Sequence, residues 1–177
     1  MSKEWSTVEL LSHARHDWLN KIQLIKGNLA LNKMERVKEI IDEIVYESKQ
    51  ESKLSNLHLP QFAALLLTYN WESHSIHLEF EVLEGETNQS IQDELLASWT
   101  RAFLIELQQS SKEFHENHLS ITIDIQETGL GFFFDFRGII TGRENIRTFL
   151  QRPAAFKRKI IELTEQELSL EVFFPYI

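Results

Sequence analysis

The chain has 177 residues, of which 42% are hydrophobic and 25% charged, a composition that fits one medium folded domain or two small ones. Its formal net charge of −9 argues against general nucleic-acid binding, because such binding needs basic side chains that neutralise phosphates. No stretch approaches the roughly 20 apolar residues that span a bilayer, so we expect no membrane segment and a cytoplasmic location. The absence of cysteine excludes disulfides and thiolate nucleophiles.

The first segment predicts a long amphipathic helix that begins near Ser6 and runs to about Leu31. Ser6 and Glu9 match a capping box, in which each side chain satisfies a free backbone N–H of the other residue. Apolar side chains then recur at helical spacing and form a stripe that we expect to be buried: Leu11, Ala14, Trp18, Ile22, Ile25 and Leu29.

A second helix is predicted from Met34 to about residue 55, after the short polar break at Asn32-Lys33. Because short connections favour antiparallel neighbours, the two helices are predicted to form a hairpin. Two amphipathic helices alone make a thin core, so we expect a homodimer in which two hairpins form a four-helix bundle. Pro60 cannot continue a helix interior, which indicates a boundary between a hairpin domain, residues 1–58, and a second domain, residues 59–177.

The second domain is predicted to be an α/β sandwich with one sheet, so the fold class of the chain is α+β. Helices are predicted at 61–73 and 91–115. Alternating apolar residues predict a strand at 76–83, and two hairpins follow, one pairing 119–126 with 130–138 and the other pairing 158–164 with 167–174 around Glu165-Gln166.

The stretch RHDWLNKIQLIKG, residues 15–27, places polar residues on the helix face opposite the apolar stripe. At 100° per residue, His16 lies about 160° from Trp18, with Asn20 and Gly27 within about 40° of His16. A neutral imidazole offers a ring nitrogen that can attack phosphorus, and Asn20 can hydrogen-bond that ring. Arg15 could ease the approach of anionic oxygens, although solvated surface cations are common. Gly27 is either tolerated there or admits the close approach of a partner's backbone.

The stretch ARHDWLNKIQLIKGNLAL, residues 14–31, resembles the phospho-accepting helix of the sporulation initiation phosphotransferase B family. It is more loosely similar to sensor histidine kinases with an H-D-x-x-N core. ESKLSNL at 51–57 and TYNWESH at 68–74 add to the first resemblance.

This resemblance implies that His16 is phosphorylated and that the hairpin forms a dimeric four-helix bundle. It implies that phosphoryl groups pass from the aspartate of one response regulator, through the histidine, to the aspartate of another, and so control the initiation of sporulation. It also implies that Mg²⁺ is held by the partner regulator and that the chain needs no cofactor of its own.

The second domain bears on whether the chain is itself an ATP-using kinase. The kinase pattern E-L-x-x-N-A would place an asparagine where Ser110 stands, and Asp135-Phe136-Arg137-Gly138 stands where kinases carry D-x-G-x-G. Phosphate-binding loops need glycines for close backbone approach, and Gly142 stands alone. We interpret the domain as a nucleotide-binding fold that has lost its site. The alternatives are an ATP-dependent histidine kinase with an unusual site and a non-catalytic dimeric adaptor.

Two further histidine pairs have the i, i+3 spacing of some metal sites. They are His74 with His77, and His115 with His118. Because no neighbouring carboxylates complete a ligand set in the sequence, we interpret both pairs as structural and predict no metal site.

Overall fold

The computed structural model describes residues 5–72, 74–85, 87, 89–113 and 115–177. It contains two compact units, Met1–Lys49 and Gln50–Ile177. Among the described residues, each helix is too short or too polar to cross a membrane.

The first unit contains helix α1, Thr7–Ala30, and most of helix α2, Met34–Asn56. The predicted capping box is confirmed at the start of α1. The Ser6 hydroxyl accepts a hydrogen bond from the Glu9 N–H at 3.3 Å, and the Glu9 carboxylate accepts one from the Ser6 N–H at 2.9 Å. Asn32 has a positive φ of 54° and turns the chain between the helices, as the polar break predicted.

One face of α1 turns towards α2, and a second, apolar face stays uncovered within the chain. Lys21 of α1 forms an ion pair with Glu47 of α2 at 2.5 Å, while Val37 and Ile40 of α2 are buried. No residue of α1 is buried. The predicted stripe is therefore not covered by one chain alone, and four of its members are 43–62% exposed: Leu11, Trp18, Ile22 and Leu29.

The second unit begins inside α2, before the predicted boundary at residue 58, because the last turns of α2 pack into its core. Leu54 and Leu57 belong to that core. The Gln50 side chain accepts a hydrogen bond from the Val82 N–H at 2.8 Å. Lys53 forms an ion pair with Glu84 at 2.6 Å, and its hydrogen bond holds the pKa of that carboxyl below its usual value.

A five-stranded sheet in the order β1-β2-β3-β5-β4 forms the rest of the second unit. β1 and β2 are parallel, and the other neighbours are antiparallel, so both predicted hairpins are confirmed. The strands are β1 Ile76–Val82, β2 Asn117–Gln126, β3 Gly129–Arg137, β4 Lys157–Leu163 and β5 Glu167–Pro175.

Three further helices belong to this unit: α3 Pro60–Tyr69, α4 Asp93–Gln109 and α5 Arg143–Leu150. The predicted helices 61–73 and 91–115 were too long. α3 ends at Tyr69 because the Asn70 side chain instead bonds both backbone groups of Leu78 in β1, at 2.7 and 3.0 Å. α4 ends at Gln109 because Ser111 pairs with Ile140. Ser73 and Phe114, inside those predictions, lie outside the described residues.

Helix α5 was missed by the sequence analysis. Its buried residues are Ile146, Phe149 and Leu150, which share one helical face. A helix of eight residues offers only these three apolar positions, too few for a period to stand out.

The core lies between the helices and one face of the sheet. Along β3 the burial alternates, so that Phe132, Phe134 and Phe136 are buried while Phe133 faces the open side. The ring of Phe134 lies 5.8 Å from Trp99 and 5.3 Å from Phe103, both of α4, between ring centroids. The other face of the sheet carries mainly polar and charged side chains.

Replacing Phe134 by alanine should lower the free energy of unfolding by about 3–5 kcal/mol, because it removes a fully buried ring from a filled core. Phe133→Ala, one residue earlier on the open face, is the matched control and should change it by less than about 1 kcal/mol. Urea unfolding followed by circular dichroism measures both. Equal losses would contradict the assignment of the two residues to opposite faces.

Candidate functional site

His16 lies in the middle of α1, on the side opposite the uncovered apolar stripe, and its side chain is 71% exposed. The Asn20 amide, one helical turn away, is 3.2 Å from His16 Nδ1. The Asp17 carboxylate is 3.7 Å from the same nitrogen. Both contacts involve Nδ1, which leaves Nε2 as the nitrogen available to a visiting group.

The surroundings of Nδ1 determine what Nε2 can do. A carboxylate only accepts hydrogen bonds, so Asp17 favours a proton on Nδ1. The Asn20 atom next to Nδ1 is the amide nitrogen Nδ2, which donates to Nδ1 when the ring proton is on Nε2. The flipped amide has the same shape and places its oxygen there, where it accepts from a proton on Nδ1. With the proton on Nδ1, the lone pair is on Nε2, and Nε2 is then the nitrogen that can attack phosphorus.

Arg15, the other predicted member of the site, is exposed. It is one residue from His16 and therefore projects about 100° away around the helix, so it flanks the ring. Lys21 is engaged by Glu47 at 2.5 Å. Of the residues predicted around His16, the structure thus brings Asn20 into contact with the ring and leaves Arg15 beside it.

Gly27 lies on the His16 face, about 20° around the helix and roughly 16 Å along it. A Cβ added there would meet no atom within 4 Å, and the backbone φ is not in the left-handed region. The helix itself therefore does not require a glycine at this position.

In the second unit, Ser110 stands where the kinase pattern has its asparagine. It is 1% exposed. Its carbonyl accepts hydrogen bonds from the N–H groups of Thr141 at 2.8 Å and Gly142 at 3.0 Å, and its hydroxyl donates to Glu106 at 3.2 Å. A Cβ on Gly142 would lie 2.7 Å from the Ser110 hydroxyl, so this glycine permits close packing inside the chain. Backbone amides that could bind a phosphate are used internally here.

The second kinase-like motif is also part of the folded core. Asp135, Phe136 and Arg137 are the last residues of β3, and Phe136 is fully buried. A Cβ on Gly138 would collide with the Asn117 side chain, so this glycine too serves internal packing. These contacts support the interpretation of a fold without an open nucleotide site at the two motifs.

One grouping was missed by the sequence analysis. His77 and His118 belong to different predicted pairs, yet they are register partners across the parallel strands β1 and β2, and Glu79 lies with them. The interpretation that no carboxylate completes a ligand set is wrong for these two histidines. The i, i+2 spacing of His77 and Glu79 in a strand was the local signal, but the pairing of β1 with β2 is not visible in the sequence.

The chain matches two family models that together span nearly all of it. Residues 1–57 match the alpha-helical domain of the SpoOB-type sensor kinase family, and residues 58–175 match the C-terminal domain of sporulation initiation phospho-transferase B. A sporulation initiation phosphotransferase B from Bacillus subtilis (strain 168) is 44% identical over 133 residues, which cover 74% of this chain and 69% of that protein.

Solved structures of histidine kinases are more distant. The catalytic domain of histidine kinase ThkA has a TM-score of 0.44 and 12% identity, and the match covers 69% of this chain and 91% of that chain. The histidine kinase AdeS of Acinetobacter baumannii has a TM-score of 0.43 and 10% identity, with 90% of this chain and 97% of that chain covered.

Proposed function

The chain belongs to the sporulation initiation phosphotransferase B family, and we propose that His16 is the residue through which it moves phosphoryl groups. The protein is a phosphotransferase of the phosphorelay that controls the initiation of sporulation, and its partners are response regulators. We also propose that one receiver domain donates the phosphoryl group and another accepts it, and that this exchange takes place in the cytoplasm.

The observation that carries the proposal is the exposed ring of His16, in which Nδ1 lies beside Asn20 and Asp17 and Nε2 takes part in neither contact. Nε2 attacks the phosphorus of an aspartyl phosphate on the first regulator, a P–N bond forms, and the P–O bond to the aspartate breaks. The aspartate leaves as a carboxylate. The ring then carries a positive charge with its proton on Nδ1, next to the Asp17 carboxylate at 3.7 Å, which stabilises it.

Attack by the aspartate of the second regulator reverses these bond changes and returns His16 to its neutral form. Phosphoryl transfer depends mainly on alignment and on neutralisation of the phosphoryl oxygens. We propose that Mg²⁺ in the acidic pocket of the regulator supplies most of that neutralisation. Arg15 would assist from the flank of the site.

We further propose that the protein is a homodimer whose hairpins form a four-helix bundle. Leu11, Trp18, Ile22 and Leu29 form an exposed apolar stripe on α1, and Met34, Ile41 and Val45 are exposed apolar residues on α2. Monomeric soluble proteins seldom leave such continuous apolar surface open to water. A second hairpin would cover both stripes and leave His16 outside, since it lies on the opposite face of α1.

The alternatives are less well supported. An autophosphorylating kinase needs an open site for ATP, while Ser110 and the amides of Thr141 and Gly142 are bonded to each other. An adaptor that only docks regulators would have no need for the arrangement of His16, Asn20 and Asp17.

Mixing the protein with a receiver domain that carries labelled phosphate on its aspartate should transfer label to the chain. We expect an acid-labile, base-stable phosphohistidine with phosphorus on Nε2, which NMR distinguishes from the Nδ1 isomer. His16→Gln should accept no label, whereas His13→Gln, a control on the same helix, should behave like the wild type. Labelling by ATP alone would instead support the kinase, and an unimpaired relay in His16→Gln would support the adaptor.

Replacing Ile22 by glutamate should convert the dimer to a monomer, because the charge would enter the apolar interface between hairpins. Ile22 is half exposed within one chain, so the substitution should leave the fold of each chain intact. Gln23→Glu, one residue further on the exposed face, is the control and should stay dimeric. Sedimentation equilibrium measures the masses, and a wild-type mass of about one chain, 20.8 kDa, would contradict the proposal.

The substitution Gly27→Ala should change the stability of the protein and its binding to the receiver in opposite directions. Alanine is the better helix former, so the free energy of unfolding should rise by about 0.5–1 kcal/mol. Gly27 lies at the rim of a typical interface of about 800 Å² centred on His16, so the added methyl group should weaken receiver binding by about two- to threefold if a backbone approaches the glycine. Thermal unfolding and titration with the receiver measure the two effects. A gain in stability with unchanged binding would show that the glycine is merely tolerated.

A further inference from the structure

Three side chains on the open face of the sheet converge in the second unit. They are His77 and Glu79 of β1 and His118 of β2. His77 and His118 are register partners across the parallel strands, and Glu79 follows His77 by two residues, so all three project from the same face. We propose that they form a binding site for a divalent transition-metal ion of the zinc class.

The distances between the side chains suit such an ion. Glu79 Oε2 is 3.2 Å from His118 Nε2, and Glu79 Oε1 is 3.5 Å from His77 Nε2. Ligands at about 2.0–2.1 Å from a tetrahedral Zn²⁺ are separated by roughly 3.3 Å. The contact of Glu79 Oε2 with His118 matches such an edge, while His77 faces the other carboxylate oxygen, Oε1. One ligand atom from each residue can be chosen so that all three lie within 4.8 Å of one another.

The donor set favours zinc and its neighbours over magnesium or calcium. Two imidazole nitrogens with one carboxylate suit Zn²⁺, Co²⁺ and Ni²⁺, whereas Mg²⁺ and Ca²⁺ prefer oxygen ligands throughout. Three protein ligands leave at least one position open, which water or another ligand completes. The ligands stand on paired strands, so their backbones are already positioned.

The electrostatic surroundings admit a cation. The nearest basic group in register is Arg137, opposite His118 on β3, and its guanidinium is directed to Asp135 at 3.8 Å. Glu81 is the next residue on the same face of β1. The three ligand side chains are 42–63% exposed, so an ion can reach them without any rearrangement of the core.

The test is a titration of the whole chain with Zn²⁺, in which isothermal titration calorimetry measures the binding. We expect one ion per chain at this site, and binding weakened more than about 10-fold by His77→Ala, His118→Ala or Glu79→Gln. His115→Ala and Glu81→Gln are the matched controls, a nearby exposed histidine and the next carboxylate along β1, and should bind like the wild type. Wild-type binding no tighter than that of His118→Ala, or an equal loss in His115→Ala, would overturn the proposal.

A second readout does not depend on heat of binding. Co²⁺ added to the wild type should give a visible d–d spectrum that reports direct coordination by nitrogen and oxygen, and His118→Ala should lose it. All of these titrations can be repeated in His16→Gln, which keeps the metal site but removes the histidine proposed to carry the phosphoryl group. Retention of the signal in His16→Gln separates the metal site from the phosphotransfer proposal, so either can fail without the other.

Discussion

The organisation of α1 depends on one geometric constraint, the opposition of two faces on a single helix. Trp18 and Ile22 lie on the exposed apolar side, and His16 lies about 160° from Trp18. An element that covers the apolar side therefore cannot cover the histidine. The same burial that would stabilise a bundle fixes an imidazole at its surface, where a second protein can reach it. The exposure of the His16 ring is thus a consequence of how the helix packs.

In the second unit, the residues at a kinase-like motif serve internal packing. Ser110 is buried, and its carbonyl binds the amides of Thr141 and Gly142. These hydrogen bonds join the end of α4 to the loop that precedes α5, so they support the packing of α5 residues such as Phe149 against Phe103 at 6.3 Å between ring centroids. Opening this region to a phosphate would cost both the hydrogen bonds and part of the core. The internal packing at this kinase-like motif and the stability of the unit are therefore linked.

The elements that the sequence predicted correctly are those whose signals are local and long. The capping box of Ser6 and Glu9, the two long helices and both hairpins follow from short-range spacing and turn residues. Helix α5 was not predicted because eight residues are too few to show a helical period. The ends of α3 and α4 were misplaced because Asn70 forms hydrogen bonds with β1 and Ser111 forms a β-bridge with a residue that is distant in the chain. His16 with Asn20 could be read from one helix turn. The contact of His77 with His118 could not, since parallel pairing joins strands that are distant in the chain.

The histidines of this protein show that neighbours, and not the imidazole alone, decide the chemistry. At His16 an amide and a carboxylate lie beside Nδ1, so Nε2 is the nitrogen for which we propose a bond with phosphorus. At His77 and His118 two rings face one carboxylate, so several electron-donating atoms lie close together, which suits the binding of a cation. A phosphoryl group carries negative charge, which the Glu79 carboxylate would repel. The same type of side chain therefore fits the proposed transfer on the helix and the proposed coordination on the sheet.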